Sequence, residues 1–245
     1  DTSSWIKVGQ VGASVIRFQD TTAAKDTLYY YRVTAFDTAT FENESFFSDS
    51  QPSDSIIFYA GPNWYVNDTY TAADSYSYAG GSDTSGGDGS ASKPFRSLAK
   101  VMQKVKAGDT IWLDAGTYGS DTWEMISATE TAAVNLDTDN LALIGVDSNA
   151  TVVNPAGAIT LTGLFGIYAD TQTGLTVKNL GVTGAYHGIE WVNVDVSMLS
   201  GDSVSSNGFY GIYLLNGSDT NTLTGNTGSG NSQHGFMLLS SRGNT

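Results

Sequence analysis

A chain of 245 residues has room for one large or two smaller domains, and 28 glycines against 4 prolines fit a turn-rich β protein. The formal charge is −14, and residues 107–245 carry only Lys178 and Arg242 against 13 acidic groups, which argues against nucleic acid as a partner. There is no cysteine, which removes disulfides, c-type haem attachment and thiolate metal sites, and no apolar run of 18 residues that would span a membrane.

The chain begins without a signal-peptide pattern, and so reads as a mature segment or a fragment. In residues 1–60, Tyr29-Tyr30-Tyr31-Arg32-Val33-Thr34-Ala35 alternates strictly and is rich in strand formers. Val15 to Asp20 reads as the strand before it, and Ile56 to Tyr59 as the last one. This order resembles the end of a fibronectin type III domain, with Tyr29 as its corner tyrosine. A whole sandwich of that kind needs about 90–100 residues. The resemblance therefore implies a partial fibronectin type III-like β-sandwich, serving as a spacer.

Gly61-Pro62 marks a boundary, and residues 61–92 read as a linker and a Gly/Ser/Asp-rich loop. Asp74, Asp83 and Asp88 are candidate Ca²⁺ ligands, because clustered carboxylate oxygens suit a hard cation. Their spacing matches no EF-hand, and an ordinary surface loop is the competing reading. Tyr70, Tyr76 and Tyr78 either pack that loop down or offer stacking surfaces to sugars.

Residues 93–245 open with a short helix over 94–106. Ser92 is its expected N-cap, and Pro94 suits a first turn. Phe95, Leu98, Met102 and Val105 form one apolar face, and Gly108 follows as the left-handed residue past the end. Five of the 11 Lys and Arg lie within 93–106. Thr110 to Leu113 is a β-prone run that Gly116 breaks. A helix this short needs something to cover.

What it covers is a repeat. Phe165-Gly166-Ile167-Tyr168-Ala169 is echoed at His187-Gly188-Ile189, Tyr210-Gly211-Ile212 and His234-Gly235-Phe236, with glycines 22, 23 and 24 residues apart. A second strand set falls between, at Leu175 to Lys178, Val196 to Leu199 and Thr222 to Thr224. That period predicts coils stacked about 4.8 Å apart, with room for about six turns. Ile167, Ile189, Ile212 and Phe236 should form one internal column, and Phe165, His187, Tyr210 and His234 a ladder of planar rings.

Two motifs name the architecture. Asp88 to Leu98 follows D-G-S-x-x-x-P-F-x-S-L, and Gly108 to Tyr118 follows G-D-T-I-x-L-x-x-G-T-Y. Both resemble the entry to a right-handed, single-stranded parallel β-helix of the pectate-lyase-like superfamily. Asn221 to Asn226 and Asn231 to Phe236 resemble NosD-like repeats. The resemblance implies an all-β protein: a capping α-helix and β-helix over 93–245, preceded by the partial sandwich. Such folds carry many functions.

Chemistry is harder to place. His187 and His234 sit about 9.6 Å apart, two coils, which is too far for one metal without other ligands. A lyase must neutralise a uronate, and a coil with two cations in residues 107–245 repels a polyanion. Glycoside hydrolases need paired carboxylates about 5–9.5 Å apart. Glu190, Asp170, Asp195 and Asp202 read as outward acids on a solvated face, and no Asp-Asp dipeptide occurs.

The expected function is therefore a secreted or cell-surface structural or adhesive protein, glycan-associated, with Ca²⁺ as a possible cofactor. Its expected partners are polysaccharide or other surface proteins, with self-association through open strand edges. The alternatives are a polysaccharide lyase, epimerase or glycoside hydrolase whose active site lies on later coils, and a non-catalytic carbohydrate-binding module.

Overall fold

The chain divides between Ala60 and Gly61. The computed structural model describes residues 63–84, 86–120, 123–156 and 162–245, so the fibronectin-like reading of 1–60 lies outside the described residues. Strand β1 (Asn63–Val66) precedes helix α1 (Leu98–Met102). The first winding then lays down β2 (Thr110–Leu113), β3 (Gly116–Tyr118), β4 (Glu124–Met125) and β5 (Thr131–Asn135). The second adds β6 (Ala142–Gly145), β7 (Thr151–Val153) and β8 (Leu164–Asp170). The third adds β9 (Thr176–Lys178), β10 (Gly181–Val182) and β11 (His187–Val192). The fourth adds β12 (Met198–Ser200), β13 (Ser203–Ser205) and β14 (Tyr210–Leu215). The fifth adds β15 (Thr222–Thr224), β16 (Thr227–Ser229) and β17 (His234–Leu239).

Each winding contributes one strand to each of three sheets, and the first winding adds β4 to the third sheet. These run β1-β2-β6-β9-β12-β15, β3-β7-β10-β13-β16 and β4-β5-β8-β11-β14-β17. Every pairing is parallel except the β4–β5 hairpin. The described residues form a parallel β-helix. Five windings form where about six were expected, because the β4 hairpin and the long second winding use more residues than the later repeat. A sixth begins, with Thr245 accepting from the Leu223 N–H.

The register aligns the four residues expected as an internal column, of which Phe236, on the last winding, is 41% exposed. Ile167 pairs with Ile189, Ile189 with Ile212 and Ile212 with Phe236, while Val134 extends the column one winding earlier. Ile167, Ile189 and Ile212 are fully buried, so each contributes roughly 1.5–3 kcal/mol of transfer free energy. The first sheet supplies a matching column of Ile111, Leu143, Val177, Leu199 and Leu223. The second supplies Tyr118, Val153, Val182 and Val204.

The helix is shorter than expected and starts later. Phe95 donates to the Tyr65 carbonyl and accepts from the Asn67 N–H, so it bridges to β1 and cannot enter a helical turn. Ser97, not Ser92, is the N-cap, and its hydroxyl accepts from the Lys100 N–H at 3.2 Å. Gly108 is left-handed, at φ +86°, but in the turn that joins Lys106 to Asp109 rather than at the helix end, where the cap is Gln103. Leu98 and Val101 are buried, and α1 packs on β5 and β1, which covers the first end of the core.

Between the sheets the turns are locked by asparagines. Asn221 accepts from the Ser197 N–H at 2.9 Å and donates to the Val194 carbonyl at 2.7 Å, both one winding back. Asn207, Asn226, Asn231 and Asn244 repeat this two-point bond. Each accepts from a turn N–H and donates to a carbonyl of a turn or a neighbouring strand, so it ties two windings together.

Candidate functional site

The third sheet carries the densest chemistry. The glycine in each repeat lies where backbone of the next winding comes close. A Cβ on Gly188 would sit 2.3 Å from Val204 and 2.8 Å from the Gly211 carbonyl oxygen. Around this glycine the usual in–out alternation is offset. Residues one before and two after it share the outer face: Phe165 stacks on Tyr168 with centroids 5.2 Å apart, and His187 bonds Glu190.

Two columns result. The outer rings Phe165, His187, Tyr210 and His234 stack at 5.9, 5.2 and 5.7 Å, with interplanar angles of 27°, 24° and 8°. Beside them Tyr168, Glu190, Tyr213 and Met237 stand in register. A third pair, Tyr186 over Phe209 at 5.2 Å, closes the flank. The predicted ladder is present. Ring faces are taken up by neighbouring rings, so most of the column is mutual packing.

Within it, His187 Nδ1 meets a Glu190 carboxylate oxygen, and both residues are only 8% exposed. The carboxylate orients the ring through Nδ1, and Nε2 is buried without a partner. A histidine oriented by a carboxylate is the arrangement of a general base. Here Nε2 lies among the rings of Phe165, Tyr186, Phe209 and Tyr210, out of reach of a polymer. The pair can hold a proton but presents none to solvent. Tyr168 is pushed up to about 12 by burial, helped by Asp170 and Glu190 nearby. Burial also raises Tyr213, again beside Glu190.

Two of the acids expected on a solvated face are therefore elsewhere. Glu190 is enclosed as His187's partner, and Asp202 is 1% exposed inside a turn. Asp195 accepts from the Asp219 N–H and Asp170 from the Thr171 hydroxyl, as surface turn residues do. The signal for Glu190 was its spacing: His-Gly-Ile-Glu straddles the bend.

The three aspartates read as a calcium set do not converge, and among the described residues no three His, Cys, Asp or Glu side chains do. Each has its own task in the loop. Asp74 accepts from Asn67 Nδ2 at 2.6 Å. Asp83 accepts from the Arg96 and Ser97 N–H groups at 2.8 and 3.1 Å, tying the loop to the start of α1. Asp88 accepts from the Ser90 N–H, and Ser90 holds its carboxyl below the usual range. The loop's main anchor went unread: Asp114, fully buried, accepts from the N–H groups of Ser75, Tyr76 and Ser77 and from the Ser77 hydroxyl. Tyr76 packs down onto Trp112, whereas Tyr70 and Tyr78 are exposed.

Residues 109–245, more than half of the chain, match the family model described as "Periplasmic copper-binding protein (NosD)". The chain belongs to the NosD family. No curated protein matches this NosD-family chain. Among solved structures it is similar to "pectate lyase Pel9A", at a TM-score of 0.52 and 16% identity, over 76% of this chain and 47% of that one. A "Rhamnogalacturonan lyase" follows at a TM-score of 0.43 and 16% identity, over 75% of this chain and 56% of that one. The chain thus spans about half the length of the solved lyases. The first of these likenesses supports the fold alone.

The copper of the family's name would draw on two histidines and four methionines in this NosD-family chain, and His187 is the donor least able to serve. Copper favours imidazole, thiolate and thioether. There are two histidines and no cysteine. His187 has one nitrogen on Glu190 and the other shut among rings, and His234 stacks on Tyr210.

Proposed function

We propose that this NosD-family chain is a rigid extracytoplasmic scaffold: a structural or adhesive β-helix module that holds partners along its length. One observation carries the reading. The repeating polar and aromatic side chains are engaged in binding one winding to the next. The five asparagines each bridge two windings, and the imidazole of His187 is enclosed by rings. Such a rod presents flat, acidic sides to polysaccharide or to other surface proteins. The periplasmic character of the family supports a location outside the cytosol.

The test is a depolymerisation assay on acidic and neutral polysaccharides, run beside affinity electrophoresis on the same panel. The expected result is retention by at least one polymer and no turnover. Turnover that survives repurification would replace the scaffold with an enzyme, and its loss in His187→Gln or Glu190→Gln would assign the chemistry to that pair.

A further inference from the structure

The end of the rod near α1 differs from its sides. A cleft of about 570 Å³ opens there, lined among others by Trp64, Phe95, Lys100, Lys104, Asp83 and Asp88. Its floor is aromatic and fixed. The Trp64 indole donates to Asp109 at 2.8 Å and its ring stacks on Phe95 with centroids 5.9 Å apart. Lys100, half-buried, and Lys104, exposed, four positions on, line the cleft, and neither forms an ion pair among the described residues. Two carboxylates line it as well. Asp83 is held in place by two backbone N–H groups, and Asp88 by Ser90.

The charge around it makes the cleft unusual. The chain has a net charge of −14, and residues 107–245 contain two cations. A long polyanion is repelled by those sides, whereas a small anion can enter a cleft that two lysines line. Aromatic floor, two ammonium groups and carboxylate acceptors together suit one kind of ligand. The ring presents a flat apolar surface to C–H groups, the lysines meet an anion, and the carboxylates accept from hydroxyls.

We propose that this cleft binds an anionic sugar, a pyranose bearing one negative group, through Trp64, Lys100 and Lys104. The site stands apart from the scaffold reading, and its failure would leave the polymer-retention test untouched. Carboxylate and sulfate share the required chemistry, so glucuronate, glucose 6-sulfate and neutral glucose are the probes.

The experiment is calorimetric titration of the full chain with each probe, beside NMR of the tryptophan indole N–H signals, with Trp64 assigned by Trp64→Phe. At least one anionic sugar should bind roughly tenfold or more tightly than glucose, as expected for a charge-assisted bond, and weaken with added salt. Which one does so names the anionic group. Binding should move the Trp64 indole signal. The double variant Lys100→Gln, Lys104→Gln should erase the preference while keeping the far-UV circular dichroism of the parent. Equal binding of glucose, no shift at Trp64, no binding at all, or an undiminished preference in a folded double variant would each overturn the proposal.

Discussion

Replacing Asp202 with asparagine should stabilise this protein, and the gain should depend on pH. Asn207, Asn221, Asn226, Asn231 and Asn244 each bond the preceding winding twice, accepting from an N–H and donating to a carbonyl. Asp202 occupies the same kind of position, one winding before Asn226. One of its oxygens accepts from the Leu180 N–H at 3.0 Å, but the other is buried without a partner. Asn226 donates to the Leu199 carbonyl, and Leu199 pairs with Val177, so the orphan oxygen faces the Val177 carbonyl side. A carboxylate there has nothing to accept. A neutral carboxylic acid can donate as an asparagine would.

Burial accordingly pushes Asp202 from 3.8 up to about 7, against the opposing pull of the Leu180 and Ser200 N–H groups. The folded state therefore binds a proton that the unfolded state gives up near pH 4. The group's contribution is most favourable below pH 4, declines as pH rises to about 7, and is flat above. A shift of about 3 pH units at about 1.4 kcal/mol each sets an upper figure of about 4 kcal/mol. Asp202→Asn should match the parent near pH 4 and exceed it by about 2–4 kcal/mol at pH 8. Urea denaturation of both proteins across pH 4.5–8.5 measures this. A difference that ignores pH, or a loss at pH 8, would refute the reasoning.

Three further outcomes are expected. Val196 is β-branched, 67% exposed and left-handed at φ +50°, in a series with Gly174, Thr220 and Gly243. Val196→Gly should raise stability by about 1 kcal/mol, read from the urea midpoint. Ile189→Ala removes atoms from the middle of the buried column and should cost about 2–5 kcal/mol by the same measurement. Asp114→Ala leaves the Ser75, Tyr76 and Ser77 N–H groups without their acceptor. Limited proteolysis should then cut within residues 70–79 at least several-fold faster than in the parent.

The column was readable because glycine and isoleucine recur together at 22–24 residues, and a parallel register repeats whatever the sequence repeats. The third strand set was not. Gly181–Val182, Ser203–Ser205 and Thr227–Ser229 are too short and too polar to alternate, and they are strands because neighbours above and below pair with them. The helix start was misplaced because Ser92 and Pro94 carry genuine entry chemistry, which Phe95's bridge to β1 overrides. Asparagine in a turn reads as loop. Its role as a cross-link is visible only once the winding it reaches is known. The enclosed Glu190 and Asp202 were misread for a related reason: spacing along a strand does not report a bend at glycine or a turn that folds inward.

The asparagine bonds also govern how such a chain can change size. Those of Asn221 and Asn226 join residues 24 to 27 positions apart, always in adjacent windings. Removing or duplicating one whole winding leaves every surviving bridge with a partner, whereas a cut of ten residues would break those that straddle it. Length in this architecture is therefore inherited in steps, and a lineage of such rods should differ by integral windings.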